Sequence, residues 1–263
     1  MEESFQVKLS SKEIMIIAAL LGYESVFGVE DSLFSEANTD IKAFIRQYVR
    51  RLERKKLIRY DLDGILYIVP GLRQAIDCIC NAETVGLFST NLKSGKKASV
   101  YIMEKESLVA SFEHLSDGKY VIRLTDAVPL KEIIPYEILS SQHRELREMM
   151  LLEEAEYVHK QIQAFNHDVA ETRIQKHIKD SNATKMIAKI LTGNCGYMSV
   201  QIHRKGKNLY NAIYNTLLIA VDNCTISLNS DENDMLCFET LSPVTVIEQL
   251  SLQFNLGMKR GAV

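Results

Sequence analysis

Apolar residues at Ile41, Phe44, Ile45, Tyr48, Val49 and Leu52 recur at i, i+3, i+4 and i+7, the spacing of one helix face. Upstream, Leu9-Ser10-Ser11-Lys12-Glu13-Ile14 combines a capping box with a hydrophobic staple, which predicts a short helix ending near Leu21. Gly22 to Asn38 is mixed and glycine-interrupted. Beyond the long helix the period drops to two. Leu57–Tyr60 and Ile65–Val69 flank Asp61-Leu62-Asp63-Gly64, a hairpin whose turn residues tolerate positive φ. Pro70 then opens a helix over Leu72–Cys80.

Asn91 to Lys97 reads as a loop. Ser99–Met103, Ser107–Phe112 and Lys119–Leu124 follow as a three-stranded meander, with an Asp117-Gly118 turn, ending at Pro129 and a helix from Leu130. From Ser140 to about Asp180 the chain turns charged and carries no proline or glycine, which predicts a helical hairpin or bundle. Leu151, Ala155, Val158, Ile162 and Phe165 form its stripe, and Met149, Met150 and Leu152 widen the apolar face. Another helix runs from about Met186 to Leu191 and stops at Gly193–Gly196. Strand patterns return at Met198–His203, Ile213–Val221, Thr225–Leu228 and Met235–Phe238, before a closing helix over Val244–Phe254.

The junction of strand, short turn, proline and helix occurs at Pro129 and again at Pro243, each after a meander; proline suits the first helical turn because its missing N–H would be unpaired there. The pattern predicts an α+β fold of two quasi-symmetric halves, each an antiparallel meander with flanking helices, and a central helical hairpin between them. The segments are 1–138, with a winged-helix-like start over 9–80 and a meander over 98–125, then 139–193, then 194–263.

Composition narrows the function. The net charge of −3 argues against a chain dominated by phosphate or anionic lipid. The acidic, polar first residues predict no signal peptide, and no apolar run is long enough to span a bilayer, so membrane insertion is not expected. Five scattered cysteines suit reduced thiols in a cytoplasm. None of the six histidines stands at metal-ligand spacing, and no glycine-rich phosphate loop or nucleophile elbow appears, so no cofactor, metal or reaction is expected.

A capped helix, a second helix, a basic third helix and a hairpin is also the order of a winged helix-turn-helix. The polar face of the helix over 40–56 carries Arg46, Arg50, Arg51 and Arg54, which would contact phosphate in a DNA-binding regulator. Gln47 is its only amide, so side chains that read base edges are scarce and a nucleic-acid partner is disfavoured.

Taken together, "RRLERKKLIRYDLDGILYIVPGLRQAIDCI", "SVYIMEKESLVASFEHLSDGKYVIRLTDAVPLKEII" and the closing "TISLNSDENDMLCFETLSPVTVIEQLSLQF" resemble the EspG-like chaperones of ESX (type VII) secretion, in a low-GC Gram-positive (Firmicutes-type) form. The resemblance implies two quasi-symmetric α+β halves and a cytosolic, ATP-independent binder. Such a protein, monomer or dimer, holds a helical secreted substrate of the WXG100 or LXG kind and keeps it soluble for export. Candidate contact residues are Met149, Met150 and Leu152, because methionine adapts to irregular apolar partners, and edge strands beside Lys119 and near Met198 are a second candidate surface.

Overall fold

The computed structural model describes residues 5–29, 41–95, 97–139, 145–207 and 209–254. Part of the Gly22–Asn38 stretch and the start of the charged segment at Ser140 lie outside the described residues.

The chain opens with β1 (Phe5–Ser10), α1 (Ser11–Leu20) and α2 (Ile41–Arg54), then a small hairpin of β2 (Ile58–Tyr60) and β3 (Leu66–Ile68), and α3 (Pro70–Cys80). Next come β4 (Thr84–Asn91), β5 (Lys97–Lys105), β6 (Leu108–His114) and β7 (Lys119–Thr125), with the short helices α4 (Leu130–Ile133) and α5 (Tyr136–Leu139). The second part runs β8 (Arg147–Leu151), α6 (Leu152–Gln163), α7 (His167–Gln175), α8 (Ser181–Leu191), β9 (Gly196–Lys205), β10 (Tyr210–Val221), β11 (Cys224–Ser230), β12 (Met235–Leu241) and α9 (Pro243–Gln253).

Local chemistry sets the element ends. The Glu13 N–H donates to Ser10 Oγ at 3.2 Å and the Ser10 N–H donates to Glu13 Oε2 at 2.9 Å, closing the capping box of α1. Pro70 and Pro243 stand in the first turns of α3 and α9, and Ser242 Oγ caps the latter by accepting from the Thr245 N–H at 3.1 Å. Pro129 precedes α4 as its N-cap residue.

Ten strands form one antiparallel sheet in the order β1-β7-β6-β5-β4-β9-β10-β11-β12-β8, and β2 and β3 pair separately. Outward from the central β4–β9 pair, each side presents four consecutive strands and then the strand that opens its half of the chain. The β6–β7 and β11–β12 turns share a geometry. In one, the Leu115 N–H donates to Lys119 O and the Gly118 N–H to Leu115 O; in the other, the Asp231 N–H donates to Met235 O and the Asp234 N–H to Asp231 O. Gly118 and Asp234, at φ 73° and 55°, take the same left-handed place.

Two helical layers cover one sheet face. Leu52, Ile58, Ile68, Leu72 and Ile76, from α2, the hairpin and α3, share a core with Met103, Phe112 and Ile122 of β5–β7, so the amino-terminal segment is not a free-standing winged unit. At the far end α6, α7 and α8 bring Val158, Ile174 and Ile187 onto Ile219, Ile226 and Phe238. On the opposite face α4, α5 and α9 pack over the sheet centre, where Leu130, Ile138, Leu250 and Phe254 meet Phe88, Val200 and Leu218.

Several sequence expectations change. The charged segment is not helical throughout, because Arg147–Leu151 is the edge strand β8. There Met150 is buried facing α6–α8, while Met149 and Leu151 point to the other face, an alternation that only a strand allows. The helical stripe keeps Ala155, Val158 and Ile162 but loses Leu151, the N-cap residue of α6, and Phe165, which is 85% exposed at φ 60° beyond its end. Neither Lys119 nor Met198 lies on an edge: β1 covers β7, and β9 sits at the sheet centre between β4 and β10.

Candidate partner-binding surfaces

Leu87, Ser89, Gln201 and Ser199 look out from the sheet centre on the face that carries the two helical layers. The strand registers align Tyr101, Leu87, Gln201 and Asn215 in one row across β5, β4, β9 and β10, and Ser99, Ser89, Ser199 and Leu217 in the next. Gln201 and Asn215 are exposed and the other six are half-buried. Helix α3 rests on β5, β6 and β7 and helix α8 on β10, which among the described residues leaves a trough over β4 and β9. At ~4.8 Å per strand the span from β5 to β10 is about 14 Å, and an α-helix with its side chains is about 10–12 Å wide. Ser89 Oγ and Ser99 Oγ lie 3.3 Å apart on the floor. On one rim Phe27 stands edge-on to Tyr101 at 6.0 Å and 5.8 Å from Tyr210. Its neighbour Gly28 sits so close over the Tyr101 ring that an added Cβ would come within 3.1 Å.

The residues expected from sequence to touch a partner do not converge. Met198 is fully buried in the core beneath α9 and Met150 is 1% exposed, so neither is available to a ligand. Leu152 is half-buried at the start of α6. Met149, 46% exposed, lies beside Cys237 at one end of the sheet, whereas Lys119, exposed near Asp117, lies at the other. The two ends differ in chemistry. Around β1 the open face is a polar ladder, with the Arg123 Nε–H donating to Gln6 Oε1 at 3.0 Å and Lys8 paired with Asp117 at 2.9 Å. Around β8 the corresponding places hold Met149, Leu151, Met235 and Cys237.

Arg46, Arg50, Arg51 and Arg54 are all exposed on α2. The Arg51 guanidinium lies 4.7 Å from the centre of the Tyr48 ring, and the Arg54 Nε–H donates to Arg50 O at 3.3 Å. The helix is fastened to α1 by Lys55, whose Nζ is 2.6 Å from the buried Glu13 carboxylate.

One polar cluster has perturbed titration. Asp77 accepts from the Tyr23 hydroxyl, from Asn81 Nδ2 at 2.8 Å and from Lys105 Nζ at 2.6 Å, which ties the segment after α1 to α3 and β5. Burial pushes the Asp77 carboxyl up, but the bonds from Lys105, Tyr23 and Asn81 outweigh it and hold the group below its ordinary value. The bond to Asp77, then burial, pushes the Tyr23 phenol up to about 12. Burial pushes the thiols of Cys78 and Cys80 up to about 11 and about 12, so both stay protonated at neutral pH and are not nucleophiles. Among the described residues no group of three His, Cys, Asp or Glu side chains is placed to hold a metal, and no helix is long and apolar enough to cross a membrane.

No family model and no curated protein matches this chain.

Sequence reading missed the trough. Its one signal was the alternation Ser199-Val200-Gln201-Ile202, a strand polar on one face, which acquires meaning only once β9 is known to lie at the sheet centre.

Proposed function

We propose that this chain is a polypeptide-holding chaperone or adaptor of the type VII secretion kind its sequence resembles, and that it seats a helical segment of its client in the trough over β4 and β9. The observation that carries this reading is the floor in the middle of a ten-stranded sheet, which no described helix covers, between two helical layers and wide enough for one more helix. The floor offers half-buried Leu87 and Leu217 to an apolar stripe and Gln201, Asn215 and three serines to backbone or side-chain polar groups. That mix suits an amphipathic helix better than a wholly apolar one.

The matching strand order on either side of β4–β9, and the matching turns at Gly118 and Asp234, support reading the halves as quasi-symmetric repeats. In that reading the trough lies on the pseudo-two-fold axis, and the chain is a cytosolic binder without a reactive centre. The exposed apolar group at β8 is then a place where a second part of the same client continues the contact. A helical secreted protein of the WXG100 or LXG kind fits the chemistry of the floor.

Filling the trough tests the reading. Ser199→Trp and Gln201→Trp, co-expressed with the small helical secreted proteins of the source cell, are expected to lose at least about 10-fold of the co-purifying client, with thermal unfolding unchanged. Full retention of client by both variants would place the contact elsewhere.

A further inference from the structure

Residues 41–60 carry eight lysines and arginines against Glu53 alone, a local charge of +7 in a chain whose net charge is −3. Four of these cations, Lys42, Arg46, Arg50 and Arg54, follow one another at intervals of four residues along α2, on the side away from its buried Tyr48 and Leu52. All four are exposed, and none forms an ion pair with a described residue. Like charges at this interval repel one another and weaken the helix that carries them. The row of cations therefore works against its own fold, with one compensating acid, Glu53, on the same side. It spans about 18 Å at a spacing of about 6 Å.

We propose that this face of α2 binds nucleic acid through its phosphates, as a second ligand class alongside the polypeptide client. The cation row itself is interleaved with Ala43, Gln47 and Glu53 and holds no apolar anchor of the kind a protein interface or a lipid surface requires; the exposed apolar residues of α2, Ile41 and Ile45, lie off the row on the side of Tyr48 and Leu52. Phosphate contact needs no such anchor. Tethering of Lys55 to Glu13 fixes the C-terminal end of the row, and Arg59, stacked on Tyr67 at 4.6 Å, extends the cationic surface onto the hairpin that follows. With Gln47 as its single amide, the helix binds duplexes without regard to sequence.

Fluorescence anisotropy of the full chain with a fluorescein-labelled 24-base-pair duplex tests this. Four phosphate contacts give a slope of log K against log salt of about −3.6, so affinity falls roughly 150-fold between 50 and 200 mM salt. Two duplexes of unrelated sequence are expected to bind alike. Arg50→Ala is expected to flatten the slope by about 0.9, and the double variant Arg46→Glu/Arg50→Glu to abolish binding. Because the double variant removes like-charge repulsion, its Tm is expected to rise by about 1–2 °C, which separates lost contact from lost fold. Client co-purification is expected to be unaffected by either variant. Binding that survives the double variant, a salt-independent affinity, or tighter binding to anionic phosphatidylserine vesicles or a polyglutamate peptide than to the duplex would overturn the proposal.

Discussion

Tyr23 shows how one side chain couples local chemistry to stability. Its folded pKa of about 12 exceeds the ordinary value of 10, so the neutral phenol is the form the fold favours. The stability it contributes is complete below pH 10 and is lost as pH rises from 10 towards 12. Asp77 runs the other way: its folded pKa is lowered, so its contribution is present above the unfolded value and is lost as pH falls through the folded one. Tyr23→Phe is expected to reduce the alkaline loss of Tm over pH 10–12 and, because it removes one of the three bonds that lower the Asp77 carboxyl, to lessen the acid loss from that group while the bonds from Lys105 and Asn81 keep part of it. An unchanged alkaline limb would show that the phenol is not the titrating group. At this scale the sequence was legible where the chemistry is local. Ser10 and Glu13 declare a capping box because both partners lie within one turn, whereas the bond from Tyr23 to Asp77 joins groups 54 positions apart and leaves no local trace.

Strand β8 marks where periodicity misled. Met149, Met150 and Leu151 are apolar in a row, and a charged, glycine-free neighbourhood favours helix by composition. What turns them into a strand is the free edge of β12, which pairs Met235, Leu236 and Cys237 with Leu151, Met150 and Met149. A long-range edge outweighed local propensity. The strand predicts unequal costs for neighbouring methionines. Met150→Ala is expected to lower stability by about 2–4 kcal/mol and Met149→Ala by less than about 0.5 kcal/mol in urea unfolding, since only the first empties a core site. Similar losses for both would point to a helix or a covered edge. Strand β4 was missed for a related reason, because Thr84–Asn91 keeps no strict alternation and gains its identity from β5 and β9, whereas β1 alternates throughout, from Phe5 to Ser10, and was passed over beside the capping box that follows it. The strands β5, β6, β7, β10, β11 and β12, and helices α2, α3 and α9, were legible from alternation, heptad-like spacing and proline placement.

Over the whole molecule, coverage is complementary. Among the described residues, helices α1–α3 and α6–α8 protect the two ends of one face and do not cover its middle, while α4, α5 and α9 protect the middle of the other. The α+β class and the doubled strand-proline-helix junction were readable from the chain. The trough was not, because it exists only through the order of strands that lie far apart in sequence, with β4 beside β9. The same order sets Met149 and Lys119, members of two separate candidate surfaces in the sequence, towards opposite ends of the sheet. Site-specific photo-cross-linking in the native cell tests the central claim most directly, with a benzophenone side chain placed at Gln201 on the trough floor or at Gln6 on the polar end of the opposite face. A cross-link from position 201 to one small helical secreted protein, and none from position 6, is the predicted result; the same protein captured from position 6 and never from 201 would contradict it.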